Sequence, residues 1–351
     1  MMKYSFLFAL SMLMLFGCQN NTQHSNEEGD TTTDEQVVNV YTHRHYDVDQ
    51  QLFAQFEEET GIKVNVTNAN ADELIQRMKA EGEESPADVL ITVDAGRLAG
   101  AKNDGLLQSV ESEVLESTIP AKLIDVDKQW FGLTKRARVI VYSKDRVQPE
   151  QLSSYAALAD EEWNKKVLIR SSNNIYNQSL MASIIANLGE ETARAWAAGV
   201  VENMARNPKG NDRDQVKAVA AGEGDLAVVN TYYIGRMLNS EDPEELKAGE
   251  QVSIFFPDQE GNGTHINISG AGVAKHAPNK ENAVRFIEFL ASKEAQQVFA
   301  QANYEYPVHP EVAPAELLQS WGEFKEDDLP LSTLGENNKL ANLIFDAAGW
   351  E

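Results

Sequence analysis

Residues 37–66 read VVNVYTHRHYDVDQQLFAQFEEETGIKVNV, and the order of patterns in that stretch decides the fold class. Val37-Val38-Asn39-Val40-Tyr41 is rich in β-branched residues, which suits a strand. From Asp47 onward Val48, Leu52, Phe53 and Phe56 recur on one helical face, and Gly61 ends the helix. Ile62, Val64 and Val66 then alternate as a second strand. Further along, Leu74, Ile75 and Met78 mark a second helix, and Val89-Leu90-Ile91 after Pro86 is a third strand. A β-α-β-α-β order predicts parallel strands joined by crossover helices, hence a sheet covered on both faces.

A second series of the same kind follows Trp130. Val139-Ile140-Val141-Tyr142 and Val167-Leu168-Ile169 are strand-like, and a long helix is expected from Gln178 through Ala198, just before Gly199. Val216 to Ala221 reads as another helix. Leu226-Ala227-Val228-Val229 is a strand that runs straight into Asn230-Thr231-Tyr232-Tyr233. Gly270-Ala271-Gly272-Val273-Ala274 and a helix from Lys280 to Leu290 return the chain to small apolar strand and helix. Two α/β units are expected, with no repeat at a fixed short period. Ligands of open α/β sheets bind beyond the carboxyl ends of strands, so those ends are the places to search.

The termini and composition narrow the class. Residues 1–17 carry Lys3, an apolar run from Phe6 to Phe16 and then Leu15-Phe16-Gly17-Cys18, which reads as an export signal ending in a lipobox. The run falls short of the roughly 20 apolar residues a membrane-spanning helix needs. Cys18 is the only cysteine in the chain, so no intramolecular disulfide is possible, and diacylation is the expected use of that thiol. Residues 18–35 are then a lipidated cysteine and a polar, acidic, disordered tether. What remains is long enough for about two domains of roughly 150 residues. A formal charge of −25 repels nucleic acid and anionic lipid surfaces, and solubility of an exported protein accounts for it.

Three strand ends carry tyrosine. The first is followed by Thr42-His43-Arg44-His45-Tyr46-Asp47, the Ile169 strand by Arg170 to Gln178 with Tyr176 inside it, and the Val229 strand by Tyr232-Tyr233, with Arg236 a turn further on. Singly, each tyrosine is explained by packing at a core edge with its hydroxyl at a polar rim. Grouped phenolates are hard anionic oxygen donors, and with a free pKa near 10 several of them stay deprotonated at neutral pH only on a strongly charged metal, of which ferric iron is the obvious one. Arg44, Arg136, Arg138 and Arg236 could offset surplus negative charge. His43 and His45 would point the same way on an extended segment, but two histidines do not complete a closed zinc site. His265, His276 and His309 are scattered, which fits structural or exposed roles. The chain has no G-x-S-x-G, no H-E-x-x-H, no phosphate-binding glycine loop and no spare cysteine, so nothing supports an enzyme.

These stretches resemble the ferric-iron-binding components of ABC importers, a branch of the bacterial extracellular solute-binding proteins, and most closely its Fut-type members. The likeness rests on His45-Tyr46, Ser85 to Val89, Trp130-Phe131-Gly132 with Thr134 to Arg138, Ile169 to Ser179, Gly210-Asn211-Asp212, Asn230 to Tyr233, Phe255-Phe256-Pro257 and Asn303 to Pro307. The resemblance implies a two-lobed, periplasmic-binding-protein-like α/β fold with a ligand cleft between lobes joined by crossing strands. Lobe 1 would be 36–135 plus 264–319, and lobe 2 would be 136–263 plus 320–351. It makes Tyr46, Tyr176, Tyr232, Tyr233 and His45 ligands of Fe³⁺, with Arg136 and Arg236 near the metal. Where another branch of the family supplies a glutamate, this chain has Val93 followed by Asp94, so no carboxylate ligand is expected there and Asp94 would serve as a helix cap. The implied partners are the permease and ATPase subunits of an importer, with the chain monomeric and tethered through Cys18. Two rivals remain: an importer component for an anion or polyamine, using Arg44, Arg136 and Arg138, or an extracytoplasmic metal-dependent hydrolase.

Overall fold

The computed structural model describes residues 36–44 and 46–351, so the leader, Cys18, the tether and His45 lie outside the described residues. The chain opens with β1 (Val37–Thr42), α1 (Asp47–Thr60), β2 (Lys63–Asn68), α2 (Ala71–Glu81), β3 (Val89–Val93) and α3 (Ala95–Asn103). β1 pairs in parallel with both β2 and β3, as the alternation of strand and helix predicts. Gly61 closes α1 in the left-handed conformation, at φ 71°, which costs glycine nothing. All five side chains of β3 are buried, whereas β2 forms the outer edge and leaves Val66 48 % exposed.

After α4 (Glu113–Thr118) the chain enters β4 (Phe131–Ser143), the strand that organises the molecule. There follow β5 (Val167–Leu168), α5 (Ile175–Leu188), α6 (Glu190–Asn203), α7 (Asp212–Ala220), β6 (Leu226–Asn230), α8 (Thr231–Leu238), α9 (Pro243–Glu250) and β7 (Val252–Phe255). The return consists of β8 (Ile266–Val273), α10 (Lys280–Ala291), α11 (Lys293–Asn303) and β9 (Tyr306–Pro307). Three short helices close the chain: α12 (Glu316–Ser320), α13 (Ser332–Glu336) and α14 (Asn338–Ala348). The sheet runs β2-β1-β3-β8-β4-β6-β5, with β7 and β9 both paired to β4. The first half of β4, Phe131 to Ala137, lies antiparallel to β8, and the second half, Arg138 to Tyr142, lies antiparallel to β6. One strand thus belongs to both α/β units.

Each unit has its own core. Around β1, β3 and β8 the apolar cluster includes Val40, Leu52, Phe56, Leu90 and Phe286, with the Phe56 and Phe286 rings edge to face at 5.0 Å. In the other unit the two-residue period of strands separates the cores cleanly. Ile140 and Val228 face one cluster, with Trp163, Trp196 and Phe345, while Val139, Val141 and Val229 face another, with Met237. Leu331 and Leu334 of the tail pack into the first core and Ile344 and Phe345 of α14 into the second. Helix α13 nests so closely on α3 that a Cβ at Gly335 would come within 2.5 Å of the Ala99 Cβ.

Two expectations are corrected. The strand read from Val139 begins at Phe131, because the charged run Lys135-Arg136-Ala137-Arg138 that masks it buries both guanidiniums, each no more than 2 % exposed. The single long helix from Gln178 to Ala198 is two, since Gly189 at φ 83° and ψ 162° breaks the chain between α5 and α6. Among the described residues no helix is long and apolar enough to cross a membrane.

Candidate metal centre

Strand β6 passes into α8 without a loop, so Tyr232 and Tyr233 occupy the first turn of a helix at a strand's carboxyl end. Tyr232 is 3 % exposed, and its ring lies 4.2 Å from that of half-buried Tyr233. Tyr176 holds the matching position in α5, where the Asn174 side chain caps the helix by accepting from the Tyr176 amide at 3.2 Å. The hydroxyls of Tyr176 and Tyr232 are 3.3 Å apart. Tyr46 stands at the start of α1, held by its amide, which donates to Asp49 at 3.3 Å. Tyr46, Tyr176 and Tyr233 line one cavity of about 480 Å³, together with His43, Val93, Arg170 and Arg236. The structure therefore brings phenols from both units to a common space.

The surroundings of Tyr46, Tyr232 and Tyr233 favour the neutral phenol. Burial pushes Tyr232 and Tyr233 up from the usual tyrosine value, and Tyr176 beside them adds to the rise. Burial also raises Tyr46, and Glu305 and Tyr176 add to this against the pull of Arg44 and Arg236. Deprotonating several of these groups at once needs a cation of high charge density. Cations already surround the rings: the Arg236 guanidinium carbon is 4.7 Å and that of Arg44 is 5.3 Å from the Tyr46 centroid. Arg136, Arg138 and Arg170 lie 5.5, 5.7 and 5.7 Å from the Tyr176 centroid.

These arginines differ in how they are neutralised. Arg138 and Arg170 share Asp212, at 2.5 and 2.7 Å. Arg44 pairs with Asp49 at 3.0 Å and Glu305 at 3.3 Å. Arg136 reaches Asp94 only at 4.0 Å, and its Nε and Nη2 have no hydrogen-bond partner among the described residues. Asp212 and Glu305 carry no sequence signal of their own beyond lying in stretches of likeness. Their significance comes from the arginines that the fold sets against them.

Asp94 is the N-cap of α3, fully buried at φ 85°, and accepts from the Gly96 amide, Ser179 Oγ and Asn267 Nδ2. It is turned into this network, and Val93 is the residue of that loop that lines the cavity. His43 lines it as well, with Nδ1 3.4 Å from Thr92 Oγ1. His265 is buried elsewhere, on the strand crossing, His276 is exposed and His309 half-buried. Among the described residues no group of three or more histidine, cysteine, aspartate or glutamate side chains could hold a metal ion.

The sequence profile of a family described as bacterial extracellular solute-binding protein matches residues 51–326. The chain belongs to that family. Within it, the chain is 53 % identical over 322 residues to iron uptake protein A1 of Synechocystis sp., spanning 92 % of this chain and 89 % of that protein. The major ferric iron-binding protein of Neisseria meningitidis is 27 % identical over 315 residues, spanning 88 % of this chain and 92 % of that protein. Among solved structures, that of Trichodesmium IdiA (FutA) with iron and citrate ligands superposes with a TM-score of 0.87 at 50 % identity, covering 90 % of this chain and all of that one. The ferric binding protein from Campylobacter jejuni gives 0.86 at 47 %, with 90 % and 100 % covered. These likenesses fix the architecture as the two-lobed fold of solute-binding proteins, a transport component.

Proposed function

We propose that this protein captures ferric iron in the interlobe cleft and delivers it to an ABC importer, with Tyr46, Tyr176, Tyr232 and Tyr233 as ligands and His45 as a fifth. The observation that carries the reading is the meeting of phenols from α1, α5 and α8 around one cavity, near which Asp49, Glu305 and Asp212 are paired with arginines and Asp94 caps α3. The names of the relatives, iron uptake and ferric binding, favour the same cargo over an anion or a polyamine.

In this reading lobe 1 is 36–135 plus 264–319 and lobe 2 is 136–263 plus 320–351. Lobe 2 offers Tyr176, Tyr232 and Tyr233, and an open protein binds the ion there first. Closure adds Tyr46 and His45 from lobe 1. Iron favours the closed form because only that form presents the whole ligand set, and differential contact is what allows a ligand to drive a conformational change. Arg136 and Arg236 balance the charge of the bound phenolates. Each phenol loses its proton on binding, so affinity falls as pH falls. Docking on the permease separates the lobes and removes the lobe 1 ligands. The export signal and Cys18 support a lipid anchor that holds the protein in the periplasm or at the outer face of the cytoplasmic membrane, where in this proposal it acts as a monomer.

The direct test is optical. Iron-loaded protein is expected to be coloured by a phenolate-to-iron charge-transfer band, and changing Tyr232 and Tyr233 together to Phe is expected to abolish both colour and tight binding. A colourless loaded protein, or a double variant that keeps colour and affinity, would refute the reading.

A further inference from the structure

Glu305 is the most heavily hydrogen-bonded buried carboxylate near the tyrosines. It lies between α11 and β9, 2 % exposed, and follows Tyr304, which is held in the left-handed region at φ 54°. Four elements converge on it. Asn303 Nδ2 donates to it at 2.6 Å from the end of α11, Thr134 Oγ1 at 2.9 Å from β4, and Ser269 Oγ at 3.2 Å from β8. Arg44 supplies Nη1 and Nη2 at 3.3 Å from the loop after β1. Burial alone would raise this carboxyl, but Arg44 and Arg136 hold it below the usual glutamate value, so it stays charged.

Two of these contacts lead to Tyr46 by separate routes. Arg44 is two residues before it, places its guanidinium carbon 5.3 Å from the ring centroid, and binds through Nε the same Asp49 that accepts from the Tyr46 amide. Asn303 also accepts from Arg236 Nη1 at 3.3 Å, and Arg236 lies 4.7 Å from the Tyr46 centroid. Arg236 sits on α8, the helix of Tyr232 and Tyr233. One carboxylate therefore holds the backbone turn of Tyr46, both crossing strands, and the arginine that reaches Tyr46 from the opposite lobe.

We propose that Glu305 is the positioning residue for Tyr46: through Arg44 and through Asn303 and Arg236 it fixes the phenol of lobe 1 where closure requires it. This rests on Tyr46 being an iron ligand. The mechanism is geometric, and simple electrostatics has the opposite sign. Removing a negative charge near Tyr46 would favour its phenolate and tighten binding, whereas releasing the turn weakens it.

The test compares the wild type, Glu305→Gln, Tyr46→Phe and the double variant, all loaded with ferric iron. It reads the charge-transfer maximum and the rate at which excess chelator strips the metal. Glu305→Gln keeps size and hydrogen-bonding oxygen, and is expected to speed release ~10–100-fold, as outer partners of metal ligands commonly do, and to move the band toward that of Tyr46→Phe. On the Tyr46→Phe background the same change is expected to have almost no effect. Release as slow as, or slower than, wild type overturns the proposal, as does a full effect on the Tyr46→Phe background. If Glu305→Gln fails to fold, Glu305→Asp, which keeps the charge and shortens the reach, is judged by the same two criteria. A wild type that is colourless with iron removes the iron reading itself, a failure distinguishable from that of Glu305.

Discussion

His265 sits at the start of the strand crossing, fully buried, where burial first and then Arg138 and Arg136 lower its pKa to about 3. The unfolded chain takes up that proton below about 6.5, while the folded protein refuses it until about pH 3. The unfolded state therefore binds more protons across this window, and stability falls as pH drops through it. Urea midpoints at pH 7 and pH 4.5 are expected to show a smaller acid loss for His265→Gln than for the wild type, and equal losses would exonerate this histidine. At this scale the tyrosines were legible because each lies two to eight residues beyond a strand end. Glu305 was not, because its arginine partner lies 261 residues away in the chain and only the finished fold pairs them.

At the scale of elements, apolar periodicity located β1, β3, β6, α1 and α10, and it failed where polar residues are buried or a break is silent. The alternation of β4 is masked by Arg136 and Arg138, whose charges a strand ordinarily shows to solvent. Their burial is explained by the rings and carboxylates packed around them. The break at Gly189 leaves no apolar trace, since both α5 and α6 are rich in helix-forming residues. Its conformation is one that essentially only glycine adopts, and nothing among the described residues lies within 4 Å of a Cβ built there. Gly189→Ala therefore isolates backbone strain from crowding. It is expected to cost about 1–3 kcal/mol in denaturant unfolding and to leave iron release unchanged. A neutral result would mean that α5 and α6 can relax into another junction.

At the scale of the whole molecule, the cargo should be part of the fold's stability. A ligand that binds only the native state at about 100 times its Kd adds about 2.7 kcal/mol, so stripping iron with a chelator is expected to lower the calorimetric melting temperature by several degrees. The Tyr232 and Tyr233 double Phe variant should melt at one temperature with or without iron, and a shift that survived in it would point to a second site. The two-unit architecture was legible in the two α/β series, whereas the strands crossing between them were expected only through the family resemblance, because pairing partners are invisible in a linear pattern. The sharing of β4 also governs how the molecule comes into being. The sheet of the first unit has β8 between β3 and β4, and Asp94 reaches its partner Asn267 across 173 residues. A chain emerging amino end first must hold β1, β2 and β3 unfinished, with one edge of β3 open, until β4 to β7 and the helices between them have appeared. The interval before β8 arrives is when this protein is most exposed to strand-to-strand aggregation, and a chaperone that shields the edge of β3 would act there.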